Sequence, residues 1–298
     1  MPDTPELSVV IAAVNPVGML LETLESLAAQ TRRDVMEVVV VNRVGPAVTN
    51  AVAAKFPWVR VIERIGREAI PALRAAGAAE ARAPVVAILE DHVAPARDWA
   101  ENVLAAHDGP GVAAVGGAVE NGRPDWLNTA VFLTEYVGHM PPIPDGPCIG
   151  ICGSNASYKR EALIRHAADL PARWWESFLH ERLAAEGGRV ISCPRVVIRH
   201  CKDFGFAYFL SQRWHYGRSF AGLRLAGAGF ARRLFYVLAS PLVPALLLLR
   251  LAAGARAKDR LGALLWTLPL IAIFQIATAA GETWGSAFGP GDSLAEVE

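Results

Sequence analysis

Cysteine is scarce in this chain: 298 residues contain four, Cys148, Cys152, Cys193 and Cys201. So few do not make a disulfide framework, and thiols are expected. His200 beside Cys201 offers two soft donors, but the spacing around them matches no common zinc pattern. Net charge is missing as well, with 29 basic and 29 acidic side chains, which argues against a nucleic-acid partner. The opening Met1-Pro2-Asp3-Thr4-Pro5-Glu6 has neither the basic patch nor the apolar stretch of a secretory leader, so the residues after it are expected in the cytosol. After the first apolar run comes Asn15-Pro16-Val17-Gly18, not a glycine-rich loop bearing Lys or Arg to cradle phosphates.

What the chain has in excess is apolar surface, unevenly spread. Hydrophobic residues make up 53% and mean hydropathy is +0.28, high for a soluble domain alone. The excess lies in Leu234 to Ala253, whose one charge is Arg250, and in Leu261 to Ala280, which has none. As helices each is about 30 Å long, enough for a bilayer core, and neither shows the polar stripe of a buried soluble helix. Residues 234–281 are therefore expected to form a membrane-associated helical hairpin. The loop between the two runs carries Arg256, Lys258 and Arg260; a full hairpin from a cytosolic domain would export those charges against the positive-inside tendency. Pro241, Pro244 and Pro269 permit kinks or a shallow re-entrant path instead, and the sequence leaves both open.

Upstream, residues 204–233 mix Phe204, Phe206, Tyr208, Trp214, Tyr216 and Phe220 with Arg213, Arg218, Arg224, Arg232 and Arg233. That composition suits a headgroup region, and equally an amphipathic helix packed on a core. Residues 282–298 are read as a tail.

The first half alternates strand and helix patterns. Leu7 to Ala13, Glu37 to Asn42, Val59 to Ile62 and Pro84 to Leu89 read as strands, Leu20 to Gln30 and Ala69 to Ala81 as helices, which gives a mainly parallel α/β sheet with ligands at the strand C-termini. Asn15, Asn42 and the triplet Glu90-Asp91-His92 all stand at such ends. Further on come Gly153-Ser154-Asn155-Ala156-Ser157-Tyr158, then Glu176 with Leu179 and Arg182 at three and six residues beyond, Gly187-Gly188-Arg189-Val190 and His200.

In this order these pieces resemble a family 2 glycosyltransferase of the GT-A fold, over residues 7 to about 220. The resemblance implies a mixed, mainly parallel sheet flanked by helices and followed by two C-terminal hydrophobic helices. It divides the chain into a glycosyltransferase domain at 1–203, with a nucleotide-sugar half at 1–120 and an acceptor and catalytic half at 121–203. It further implies a nucleotide-sugar donor, a lipid or glycan acceptor at the cytoplasmic side of the cell membrane, and a divalent cation, Mn2+ or Mg2+, that offsets the charge of a leaving diphosphate.

Residue by residue, the resemblance makes Glu90-Asp91-His92 the family's acidic metal and diphosphate triplet, with Glu90 and Asp91 on the donor and His92 replacing a carboxylate as a softer ligand. The family's paired aspartates after the second strand are absent, and Asn42 takes the nucleobase position without charge. Asn15 and Asn155 are expected at the donor, the latter in a tight turn. Arg74 is expected either at the diphosphate or on a helix surface, and His200 near the metal. Arg213 and Trp214 resemble part of an acceptor-binding motif of polysaccharide synthases with compressed spacing. Glu176 is the expected base for inverting transfer, Glu181 lying on another helix face. Two further readings stay in play: a nucleotidyltransferase sharing the sheet, which wants the missing phosphate loop, and a catalytically silent membrane scaffold.

Overall fold

The protein is described here as a computed structural model, covering residues 4–173 and 175–297, with the backbone alone for Glu176 and Ser177. Its elements run β1 (Leu7–Ala13), α1 (Val17–Ala28), β2 (Met36–Asn42), α2 (Pro46–Lys55), β3 (Val59–Glu63), α3 (Ile70–Glu80), β4 (Val85–Glu90), β5 (Val93–Pro95), α4 (Trp99–His107) and β6 (Val112–Asn121). They continue with α5 (Trp126–Tyr136), β7 (Gly146–Pro147), β8 (Asn155–Lys159), α6 (Arg160–Arg165), α7 (Trp175–Ala185), β9 (Arg189–His200), α8 (Phe206–Arg224), α9 (Phe230–Ala239), α10 (Val243–Ala257), α11 (Leu261–Phe288) and α12 (Ser293–Glu296).

The chain divides into two compact units, residues 1–122 with 139–202, and residues 123–138 with 203–298. Helix α5, expected within the first 203 residues, groups with the C-terminal helices because its inner face packs on α11.

In the first unit the described residues form a nine-stranded sheet in the order β3-β2-β1-β4-β8-β6-β9-β5, with β7 on β9. Strands β3, β2, β1 and β4 are parallel, β8 runs antiparallel between β4 and β6, and β9 is parallel to β6. Every residue of β1 and β2 is buried, as expected of central strands covered on both faces, and this is why they read as unbroken apolar runs. Of the three polar exceptions, Ser8, Glu37 and the terminal Asn42, the first two satisfy each other: Ser8 donates to Glu37 Oε1 at 2.5 Å, and the Arg82 amide and Nε donate to the same carboxylate at 2.6 and 2.8 Å.

The expected tight turn is formed at residues 152–155, closed by the Asn155 amide donating to the Cys152 carbonyl at 3.1 Å, and from Asn155 the chain continues as strand β8, buried between β4 and β6. Beside it the pairing of β6 with β9 jumps from Gly117↔Cys193 to Ala118↔Val197, a bulge that skips Pro194, Arg195 and Val196. At Gly117 a β-carbon would lie 1.7 Å from the Val196 carbonyl oxygen and 2.6 Å from Asn155 Nδ2. No side chain fits there.

The second unit is helical. Helix α11 lies against α8 and α5, and also meets α9 and α10. Two stretches, Phe230–Ala257 and Leu261–Phe288, have the length and composition to cross a membrane; both extend beyond the 234–281 expected from the apolar run.

Substituting Gly117 with Ala should lower unfolding free energy by about 3 kcal/mol, the upper range for overpacking a filled site, as read from the urea midpoint. Gly18→Ala, in α1 with nothing within 4 Å of its β-carbon position, is the control and should stay within about 1 kcal/mol of the parent.

Candidate functional site

Four strand ends converge at one edge of the sheet of the first unit. β1 ends at Ala13, β2 at Asn42, β4 at Glu90 and β9 at His200, all pointing the same way. Strand β5 returns antiparallel along β9 with Val93 opposite His200, and the Cys201 amide donates to the His92 carbonyl at 2.8 Å. This pairing, set by backbone alone, brings residues 92 and 200 side by side. On the other flank the Gly122 amide donates to the His200 carbonyl at 2.9 Å.

Asp91 is bound to the end of β1 and to its neighbour His92. Its carboxylate accepts the Val14 and Asn15 amides at 2.7 and 2.8 Å, the Asn15 side-chain amide at 2.8 Å and a bond with His92 Nδ1 at 2.8 Å. It is 1% exposed. Asp91 and Asn15, both expected at the donor, fasten the end of β1 to the end of β4 and orient the His92 ring. A histidine whose Nδ1 is held by a carboxylate presents Nε2 outward, the usual arrangement behind a metal-binding imidazole.

That Nε2 lies 3.2 Å from Glu90 Oε2 and 3.1 Å from His200 Nε2. The two rings meet edge to face with centroids 4.7 Å apart. Glu90, His92 and His200 each offer one donor atom within a cluster no wider than 4.8 Å. Arg74, expected either here or on a surface, is buried in α3 with its guanidinium 3.8 Å from Glu90 Oε1.

Charge in this cluster is strongly arranged. Burial works against ionised Glu90, but the His92 hydrogen bond and the charges of His92, His200 and Arg74 outweigh it and hold the carboxyl at about 2. Burial also opposes a proton on His92, yet the bonds to Asp91 and Glu90 and their charges raise it to about 9. His200, buried beside that cation, is pushed down to about 3. Without a metal, one proton is thus held among three converging donor atoms. Two imidazole nitrogens and a carboxylate oxygen can hold a divalent transition-metal ion, Mn2+ included, more readily than Mg2+, and the donor set fits the expected cation. Glu90, expected on the sugar or ribose, lies with His92 and His200 in this cluster.

Other expected residues fall elsewhere. Asn42 has no exposed surface: its amide donates to the Gly45 carbonyl at 2.8 Å and Thr49 Oγ1 at 3.0 Å, and its oxygen accepts the Val44 and Gly45 amides. It builds the turn after β2, with Gly45 at φ 140° where glycine is favoured. Asn155 is likewise spent. It donates to the Ala118 and Val196 carbonyls across the bulge, both at 3.0 Å, and accepts the Trp99 indole at 2.9 Å, so it holds β6, β8 and β9 together where a donor contact was expected.

Arg213 and Trp214 belong to the second unit. Arg213 Nε donates to Thr278 Oγ1 at 3.2 Å and its guanidinium lies 3.4 Å from Glu135; the Arg218 guanidinium sits over the Trp214 ring. Glu176 lies in α7 as expected, but its side chain is outside the described residues.

Comparison with known proteins decides what the sheet is. Residues 8–166 match the model of glycosyl transferase family 2. The chain belongs to this family. No curated protein sequence matches it. Among solved structures it is similar to a mannosyltransferase, PcManGT from Pyrobaculum calidifontis, in complex with GDP-Man and Mn2+, at 23% identity and TM-score 0.61, covering 95% of this chain and 89% of that one. It is also similar to GalNAc-T7 with UDP, GalNAc and Mn2+, at 16% identity and TM-score 0.53, covering 68% of this chain and 45% of that one. These likenesses make the fold of this family 2 member GT-A.

Asp91→Asn keeps the size of the side chain but removes the charge that orients His92. Mn2+ affinity, measured by calorimetry, should fall about 10–100-fold, as for other orienting carboxylates behind metal-binding histidines. Unchanged affinity would mean that His92 does not need this partner.

Proposed function

We propose that the chain is an inverting, metal-dependent glycosyltransferase that moves a sugar from a nucleoside diphosphate to a hydroxyl of a lipid, lipid-linked or polysaccharide acceptor on the cytoplasmic side of the cell membrane. The observation that carries this reading is the convergence of Glu90, His92 and His200 beside Arg74, at the strand ends of a family 2 sheet. Complexes of the similar mannosyltransferase and of GalNAc-T7 with Mn2+ and a nucleotide or nucleotide sugar support it. The two apolar helical stretches support the membrane setting, and an acceptor that stays in the bilayer suits an enzyme attached to it.

In this reading a divalent ion held by Glu90, His92 and His200 supplies positive charge to the departing diphosphate. Arg74 adds a fixed cation whose direction is set by Glu90. Asp91 keeps the His92 ring in place and so keeps the site rigid between turnovers. Glu176 on α7 takes the proton of the acceptor hydroxyl as it attacks the anomeric carbon from the face opposite the leaving group. The proposed nucleobase contact passes from the buried Asn42 side chain to the turn it shapes.

Two experiments test the proposal. A panel of nucleotide sugars, assayed for hydrolysis and transfer with Mn2+ and with chelator, should give turnover with at least one donor in Mn2+ and none in chelator; no turnover in Mn2+ would remove the enzymatic reading. Glu176→Gln should then lower transfer by at least ~10² with little change in donor affinity, while Glu181→Gln, an exposed position on α7, keeps most activity. The reverse pattern would place the base on the wrong carboxylate.

Imidazole at position 92 also sets a metal preference. His92→Asp should shift the activity ratio from Mn2+ toward Mg2+, since oxygen ligands suit the harder ion; an unchanged ratio counts against His92 as a ligand.

A further inference from the structure

The side of α11 that faces outward is apolar from end to end. Leu265, Trp266, Ile273, Ile276, Trp284 and Phe288 are exposed along it, a stripe on a helix of 28 residues and so about 42 Å long. Helices α9 and α10 and the short turn between them expose Phe235, Leu238, Leu242 and Leu249 in the same way. A stripe wider than the hydrocarbon core of about 30 Å is already awkward for a helix standing across a bilayer.

The opposite side of α11 is tied to polar partners over almost the same length. The Trp126 indole of α5 donates to the Trp266 carbonyl at 2.9 Å. Arg213 of α8 reaches Thr278, Arg224 pairs with Glu282 at 3.3 Å, Arg233 of α9 donates to the Ser286 carbonyl at 3.3 Å, and Arg218 to the Gly289 carbonyl at 3.4 Å. These ties are built at close range. A β-carbon at Gly217 would lie 2.2 Å from the Thr278 carbonyl oxygen, and those at Gly281 and Gly285 would lie 2.1 and 2.2 Å from the carbonyls of Trp214 and Arg218. Helix α8, which holds three of the arginines, meets α11 through Phe206 and Phe209 on Phe274 as well as through these ties, and Gln212, His215 and Ser219 accompany the arginines along it.

From Trp266 to Gly289 is about 35 Å of helix and the turn that ends it. Wherever a perpendicular α11 placed its hydrocarbon-spanning stretch, it would draw at least one of these guanidinium groups, with the polar helix that carries it, to membrane depth, where such groups are strongly disfavoured. Lying flat, the same helix puts its whole stripe into lipid and keeps the side packed on α8 and α5, with its polar ties, away from the hydrocarbon.

Charge at the margins agrees with a lipid surface as the occupant. Arg232 and Arg250 are exposed on α9 and α10, Arg256 stands in the last turn of α10, and Lys258 and Arg260 sit in the connection to α11 with Asp259 as the one acid. Basic side chains at the rim of an apolar face match anionic headgroups.

We infer that α9, α10 and α11 dock flat on one leaflet as a monotopic module, so that the connection at 254–260 stays on the same side of the membrane as the sheet unit. This rests on the membrane setting proposed above. It fixes the geometry which the sequence leaves open, and removes the export of a basic loop.

The test uses the full chain with Cys148, Cys152, Cys193 and Cys201 replaced by serine and Ala257→Cys as the one thiol, in sealed membrane vesicles with the cytoplasmic face outward. A membrane-impermeant maleimide should label position 257 before detergent is added, as fully as it labels a companion Asp292→Cys chain. Labelling at 257 only after detergent opens the vesicles, with the protein still in the membrane pellet, would overturn the flat arrangement and leave membrane attachment standing. Recovery in the supernatant would instead overturn the membrane setting itself. Should the cysteine replacements impair folding, the unsubstituted chain reports by trypsin: cutting at Arg256, Lys258 or Arg260 from outside sealed vesicles supports the inference, and cutting there by trypsin sealed within the lumen overturns it.

Discussion

A single carboxylate holds the edge of this sheet together. Asp91 takes two backbone amides and a side-chain amide from the residues that follow β1 and a ring nitrogen from the residue that follows it, all while out of contact with water. A buried anion costs several kcal/mol in effective desolvation unless its lone pairs are filled, and here they are filled by groups that would themselves be unsatisfied where two strands end. The bond between strand ends and the orientation of His92 are therefore one arrangement. Disturb the carboxylate, and both the loop after β1 and the imidazole lose their reference.

The strand ends of this edge were legible from the alternation of strand and helix patterns, while Asp91 was expected at the donor together with Glu90. What the sequence could not display is what Asp91 anchors to, since Asn15 lies 76 residues away. The strand around Asn155 was hidden for a related reason. Small polar residues suit a turn, and only the bulge in β9, a non-local feature, shows that Asn155 is needed to bridge two carbonyls whose regular partners are missing. The placement of α5 with the C-terminal helices is equally non-local, since its pattern does not differ from that of a helix covering a sheet.

The apolar runs near the C-terminus illustrate the opposite limit. Composition makes them stand out, and they are helices. Composition does not see what the other face of a helix touches. The glycines at 217, 281 and 285 let α8 and α11 approach until backbone meets backbone, which leaves room for arginines to reach carbonyls and carboxylates at their flanks. A helix that looks uniformly apolar in sequence is in this way one-sided in structure.

Replacing a carboxylate by His92 alters the charge presented to a substrate. A divalent ion bound by two carboxylates is formally neutralised by its ligands; bound by Glu90 and two neutral imidazoles it keeps one formal positive charge. Arg74, 3.8 Å from Glu90, adds another beside it. Family 2 sheets that carry paired aspartates after the second strand spend negative charge near the nucleotide, and this chain has Asn42 there, buried and neutral. Both departures act in the same direction: each removes negative charge from the edge that would face a diphosphate. The imidazole and the amide thus read as a shift of the site's electrostatic balance toward holding an anion more strongly, and retention of Glu90, whose ionised form the surrounding cations stabilise, keeps the one carboxylate that the cation cluster requires.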